Sequence, residues 1–216
     1  LSEYAYNLVK HFRQNKDITE VILLTDKTEG VKDISFIETG CKITVKECWK
    51  FNSYLNLISV TKAINKTKPD AVLFNLQFMK FGDNKIAAAL GLLLPVVCKL
   101  NRIPNIVLLH NILEEVDLEL AGFASNKFLQ KAYGFIGTSL TKLLLQADIV
   151  AVTLQKYVDV LEKKYTVNNV LLFPHGTFEV SNEKPNFSIN SSPFQIMTFG
   201  KFGTYKKVES LIDAVI

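Results

Sequence analysis

The sequence predicts an α/β fold in which a mostly parallel sheet is layered with helices, and three observations predict it. Short, continuous apolar runs recur: "VILLT" (Val21–Thr25), "DAVLFNL" (Asp70–Leu76), "NIVLLH" (Asn105–His110), "DIVAVT" (Asp148–Thr153), "NVLLFP" (Asn169–Pro174) and "FQIMTFG" (Phe194–Gly200). Runs of this length and composition suit strands buried on both faces, as in a parallel sheet. Helix-length segments separate them, and strand–helix alternation folds through right-handed crossovers. Hydrophobic residues make up 48% of the 216-residue chain, enough for a sizeable core. The expected architecture is therefore Rossmann-like, a doubly wound and mostly parallel sheet, with the start of a second Rossmann-like domain behind it.

Each element has its own reason. Leu1, Tyr4, Leu8 and Phe12 fall on one face of an opening helix. In "NSYLNLISVTKAINKT" (Asn52–Thr67), Leu55, Ile58 and Ala63 form the expected stripe, and "KPD" ends the helix. The apolar run "IAAALGLLLPVVC" (Ile86–Cys98) is too short to span a bilayer and contains Pro95, so it reads as a buried helix. A long apolar helix from about Asn126 to Gln146 leads into "ADIVAV", and Leu154–Tyr165 supplies another. The stretch Gly176–Pro193 is polar and rich in Asn, Ser and Pro, which marks a connector. The expected boundaries are a first domain at 1–176, a connector at 177–193 and the start of a second domain at 194–216. Half a domain cannot bury its own apolar faces, so Ile196, Phe199, Leu211 and Ile212 call for a partner surface. The chain also opens on a helix without the strand and glycine turn that begin a doubly wound sheet. The expectation is a sequence clipped at both ends.

Charge and cysteine content narrow the function. A net charge of +4 suits anionic small molecules or a membrane surface better than a nucleic-acid groove, so nucleic acid is not an expected partner. Cys41, Cys48 and Cys98 form no CxxC pair, and their odd number fits a reducing, cytoplasmic compartment rather than a disulfide framework. No signal peptide is legible. No GxGxxG follows any strand run, which weighs against a dinucleotide-binding domain. "EEVDLE" (Glu114–Glu119) reads as a solvated acidic helix start rather than a metal site.

The segments "LSEYAYNLVKHF", "LLHN", "ADIVAVTLQKYVDVLEKKY", "NVLLFPHGTFE" and "FQIMTFGKFGTYKKVESLIDAV", in this order and spacing, resemble the family-4 glycosyltransferases of the GT-B fold. The resemblance covers nearly the whole chain. It implies an N-terminal, acceptor-side domain and the entry into a C-terminal, nucleotide-sugar-binding domain. "PHG" is similar to the family's turn before the interdomain connector, and "FGKFGTYKK" to its donor-phosphate element. A Glu-x7-Glu element and most of the nucleotide pocket would lie beyond Ile216. The activity implied is retaining transfer of a sugar from a nucleotide-sugar donor to an acceptor hydroxyl on a glycan, a lipid-linked molecule or a small molecule. No metal or other cofactor is implied for transfer, and a fragment of this length is expected to be inactive. The alternative is a non-catalytic nucleotide-binding or interaction domain.

Candidate site residues follow. His110 ends a strand run at the edge where open α/β sheets hold their ligands. On residues alone it is either a ligand contact or a histidine that satisfies local backbone groups, and the resemblance implies contact with the donor sugar. Lys201 and Lys207 stand where the family holds the donor pyrophosphate. Lys201 replaces the commoner Arg, which leaves a point charge in place of bidentate geometry, and Val208 replaces the usual Gly; both departures keep the non-catalytic alternative open. His175, Gly176 and Gly200 are cleft or donor contacts by the same resemblance, although His175 on its own residues either contacts the cleft or caps its turn. His11 reads as a surface residue. In "QFMKFGDN" (Gln77–Asn84), Phe78 and Phe81 either face an acceptor or are covered by neighbouring loops. Lys127, Lys131 and Lys142 lie along one helix, where they serve either a peripheral membrane contact or ordinary solubility.

Overall fold

The computed structural model describes residues 2–27, 34–38, 41–115, 127–176 and 208–214. Its elements in chain order are α1 (Ser2–Phe12), β1 (Glu20–Asp26), β2 (Ile34–Glu38), β3 (Cys41–Trp49), α2 (Asn56–Thr67), β4 (Val72–Leu76), α3 (Lys85–Gly91) and α4 (Leu94–Leu100). They continue with β5 (Asn105–Leu109), a 3₁₀ turn (Leu113–Glu115), α5 (Lys127–Leu144), β6 (Ile149–Val152), α6 (Gln155–Tyr165), β7 (Val170–Leu172) and α7 (Val208–Asp213). The architecture is α/β, with parallel sheets flanked by helices, and it is Rossmann-like.

The apolar runs β4 to β7 form one parallel sheet in the order β4-β5-β6-β7. Their register aligns Leu76, Leu109, Val152 and Leu172 in a single row at the carboxyl edge. Val107, Val150 and Val152 are fully buried, which is why these strands read as continuous apolar runs. β1 belongs to a second sheet of order β1-β3-β2, parallel to β3, while β2 runs antiparallel to β3. The β2–β3 pair was not expected. "CKITVKECW" mixes apolar positions with lysines and a glutamate, so no continuous run marks it. Trp49, at the end of β3, joins the same core as β4 to β7.

Two of the helical segments depart from expectation. In α2 the buried residues are Asn56, Val60 and Ile64, four apart, whereas Leu55 and Ile58 are exposed and Ala63 is only half-buried. The polar Asn56 holds the buried stripe because its amide grips Lys50: Nδ2 donates to the Lys50 carbonyl at 2.8 Å, and Oδ1 accepts from the Lys50 N–H at 3.0 Å. The run Ile86–Cys98 is two helices, α3 and α4, rather than one. Pro95 lies in the first turn of α4, where a missing N–H removes no helical bond. In α7, Leu211 and Ile212 are exposed, in keeping with residues that call for a partner surface. The connector at 177–193 and the strand run Phe194–Gly200 lie outside the described residues.

Gly91 shows how tightly this region packs. A Cβ there would stand 2.1 Å from the Phe81 ring. Phe81 cannot retreat, because Trp49 meets it edge-on at 5.3 Å on the way into the core. Alanine would gain about 1 kcal/mol of helix propensity, but overpacking costs about 1–3 kcal/mol. Gly91→Ala is therefore expected to lower the midpoint of chemical unfolding. A raised midpoint would show that the ring yields freely.

Candidate functional site

The carboxyl edge of the parallel sheet gathers side chains from four distant parts of the chain. Asn75 is opposite Leu108 in the β4–β5 register, and His110 follows one side-chain period later. The two meet: His110 Nε2 is hydrogen-bonded to Asn75 Oδ1. An amide oxygen can only accept, so Nε2 carries the hydrogen and Nδ1 is the acceptor of the neutral ring. The His110 N–H is also tied back to the Leu76 carbonyl, at 3.4 Å.

His175 stacks on His110, with ring centroids 5.2 Å apart and planes within 11°. β6 lies between β5 and β7, so the segment after β7 must fold back over the end of β6 to bring this about. The Phe173 N–H bonds the Val152 carbonyl at 2.7 Å, the last rung of the β6–β7 ladder before that segment. Tyr4 of α1 closes the cluster. It meets His110 edge-on at 4.8 Å and His175 edge-on at 5.3 Å. His110 and Tyr4 are half-buried while His175 is exposed, so the cluster has one open side.

α6 begins at this same edge. Its N-cap, Leu154, offers no side-chain hydrogen bond. The first turn of such a helix carries a partial positive charge that favours anions.

Burial holds the His110 imidazole below its ordinary value, and the charge of His175 pushes the same way. Burial likewise raises Tyr4. For a histidine whose folded value is depressed, the unfolded chain binds more protons, so stability rises with pH. The His110 contribution is thus present above its ordinary value of 6.5 and is lost as pH falls through and below it. Unfolding midpoints measured from pH 5 to 8 (about that window) should fall on the acid side in the wild type and flatten in His110→Phe. Parallel pH profiles for the two proteins would refute this.

Other predicted residues fall elsewhere. Phe78 and Phe81 are covered rather than turned to an acceptor: both are buried in the core, Phe81 against Trp49 and Gly91 of α3, and of the three large apolar side chains in that loop Met79 is the exposed one. Lys80 lies over the Trp49 ring at 5.4 Å. Gly176 is exposed, with open space around its Cα. Gly200, Lys201 and Lys207 lie outside the described residues. His11 is exposed, as a surface residue should be.

Glu114 is not a solvated acid. Its side chain is 5% exposed and pairs with Lys164 at 3.4 Å and with the Tyr165 hydroxyl. Burial raises Tyr165, and the neighbouring Glu114 carboxylate adds to it. Among the described residues, no group of three or more His, Cys, Asp or Glu is placed to hold a metal ion.

A cavity of about 390 Å³ opens at the opposite, amino edge, lined by Lys99, Asp148 and Asn169. These three side chains are already engaged. Asp148 takes the Lys99 ammonium and the Asn105 N–H, and Asn169 donates to the carbonyls of Leu145 and Ala147 just after α5. Ligands of open α/β sheets sit at the carboxyl edge instead.

Tyr4 and Asn75 were not read from the sequence as site residues. Asn75 had one signal, a polar residue interrupting an apolar strand run near its carboxyl end; Tyr4 had none beyond its helix face. In comparisons with known proteins, the chain matches no protein-family model and no curated protein.

Proposed function

We propose that this chain is the acceptor-side part of a retaining glycosyltransferase that uses a nucleotide-sugar donor. The observation that carries the reading is the convergence of Tyr4, Asn75, His110 and His175 at the carboxyl edge of the parallel sheet. Aromatic faces, a neutral imidazole with an unprotonated Nδ1 and an uncapped helix start form a surface for a sugar and its phosphate. The resemblance to family-4 glycosyltransferases supports it through the same histidine.

In this reading His110 holds a donor-sugar hydroxyl, with Asn75 fixing its tautomer and His175 and Tyr4 fixing its plane. The bond from the sugar's anomeric carbon to the phosphate oxygen breaks, and a bond to the acceptor oxygen forms on the same face. The acceptor proton passes to the leaving diphosphate. Lys201 and Lys207 are the residues proposed to stabilise that charge.

The test is turnover by the complete protein of a panel of nucleoside-diphosphate hexoses, with release of the nucleoside diphosphate as readout. Release that depends on His110 supports the reading. Binding of nucleotide without any turnover, by a protein with an intact fold, would favour the non-catalytic alternative.

A further inference from the structure

The outward face of α2 is apolar where a surface helix is ordinarily polar. Leu55, Ile58 and Lys62 share that face by their spacing. Leu55 is 64% exposed and Ile58 52%. Phe51 and Tyr54, in the loop before the helix, and Ile86, at the start of α3, are exposed as well. Polar bonds tie these pieces into one surface. Asn52 Oδ1 accepts from the Asn84 N–H at 2.9 Å, Asn84 Nδ2 donates to the Tyr54 hydroxyl at 2.8 Å, and Asn84 Oδ1 accepts from the Ile86 N–H at 3.0 Å. Asn52 holds a left-handed backbone (φ 63°), a conformation that asparagine tolerates. A patch fixed in this way has little entropy left to lose on binding. Its two ends carry opposite charge. Asp83 is exposed at the end where Asn84 meets Tyr54, and Lys62 is exposed at the other. Leu55 and Lys62 are seven residues apart on the helix, about 10 Å. α2 itself contains Lys62 and Lys66 and no Asp or Glu, so the acidic end comes from the loop.

We infer that this face joins two copies of the chain about a two-fold axis, with α2 antiparallel to α2 of the partner subunit. A two-fold axis lays each end of a surface on the opposite end of its copy. Asp83 then meets Lys62 of the partner subunit, and Leu55 and Ile58 pack on their own copies at the centre. The antiparallel helix dipoles attract in the same arrangement. A partner of another kind would have to reproduce this acid–apolar–base order, which a second copy already carries. The size also fits. Side chains of these types, about half exposed, leave on the order of 500 Å² per copy, and the charged ends bring it to the roughly 600 Å² per partner at which specific interfaces begin. An exposed apolar patch of that extent marks a contact surface. The inference uses none of Tyr4, Asn75, His110 and His175, so it stands or falls apart from sugar transfer.

The test is sedimentation velocity of the complete protein over about 1–100 μM, a range that brackets a micromolar dimer. Wild type should pass from monomer to dimer within it. Ile58→Glu should raise the dimer dissociation constant at least about 30-fold, the scale of a central interface residue. Its unfolding midpoint at the lowest concentration should match wild type, because the side chain is exposed. Asp83→Lys and Lys62→Glu should each weaken the dimer about 10-fold, since each sets like charges face to face twice. The two reversals together should restore it to within about 3-fold of wild type, because the pair is then only exchanged. That recovery is particular to an arrangement in which Asp83 faces Lys62 of the partner subunit. A monomer at every concentration, an undiminished dimer in Ile58→Glu, or a double reversal no tighter than the single ones would overturn the inference.

Discussion

His110→Ala in the complete protein is expected to lower sugar transfer by about 10²–10³-fold, the scale for removing one oriented group from a charge-stabilising site. The fold should survive. His110 is at the sheet's edge, half-buried, and outside the apolar core, so its loss removes one hydrogen bond to Asn75 and two ring contacts. A hydrogen bond of this kind contributes about 0.5–1.5 kcal/mol net, and Asn75, itself half-buried, can turn to water. The comparison that isolates chemistry from stability is steady-state kinetics alongside a denaturant curve. Asn75→Ala should act in the same direction but less, because it frees the ring's tautomer without removing it. His11→Ala, on the exposed face of α1, should change nothing. Transfer by His110→Ala within a few-fold of wild type would remove the histidine from the mechanism and with it the principal support for the proposed function.

Leu161→Ala should be the most damaging change to stability. Leu161 is fully buried in α6, which packs on β6 and β7, and it shares the core with Val150, Val152, Val158 and Val170. Truncating a leucine in such a site loses its transfer energy and leaves a cavity that rigid strands close poorly. The cost is about 2–5 kcal/mol, out of a total near 5–15 kcal/mol for a domain. The urea midpoint should fall with an unchanged slope, since the surface exposed on unfolding is nearly the same. Leu154→Ala, seven residues earlier and 51% exposed, is the control and should stay within about 0.5 kcal/mol. Equal effects at the two positions would mean that α6 does not pack on the sheet by the face described.

Much of the parallel sheet was legible because its signal is local. "VLFNL", "NIVLL", "IVAV" and "VLL" are apolar over a strand's length, and burial on both faces requires that wherever the strand ends up. The helices α5 and α6 were legible for the same reason, within a residue or two of their ends. β2 and β3 were not. β3 keeps lysines and a glutamate between its buried Cys41, Ile43 and Trp49, so no run of apolar residues announces it. In α2, hydrophobicity pointed to Leu55 and Ile58. The packed stripe instead contains an asparagine, which hydropathy scores as surface but whose buried amide is satisfied by Lys50.

At the candidate site, position at a strand's end was enough to single out His110, and the resemblance brought in His175. The remaining members depend on distance in space. His110 and Asn75 are 35 residues apart, and the bond between them exists only because β4 and β5 pair in one register.

By itself, then, the sequence determined the order of strands and helices around the parallel sheet and which of its residues stand at the carboxyl edge. These follow from apolar runs and from the direction of parallel strands, properties that each segment carries within itself. Tertiary structure alone decided that Tyr4 and His175 would close on His110, that Phe81 would be sealed between Trp49 and Gly91, and that Glu114 would be buried with Lys164 and Tyr165. Each of these is a contact between segments far apart in the chain. Periodicity records which face of an element turns inward, but not which side chain from another element will be waiting there.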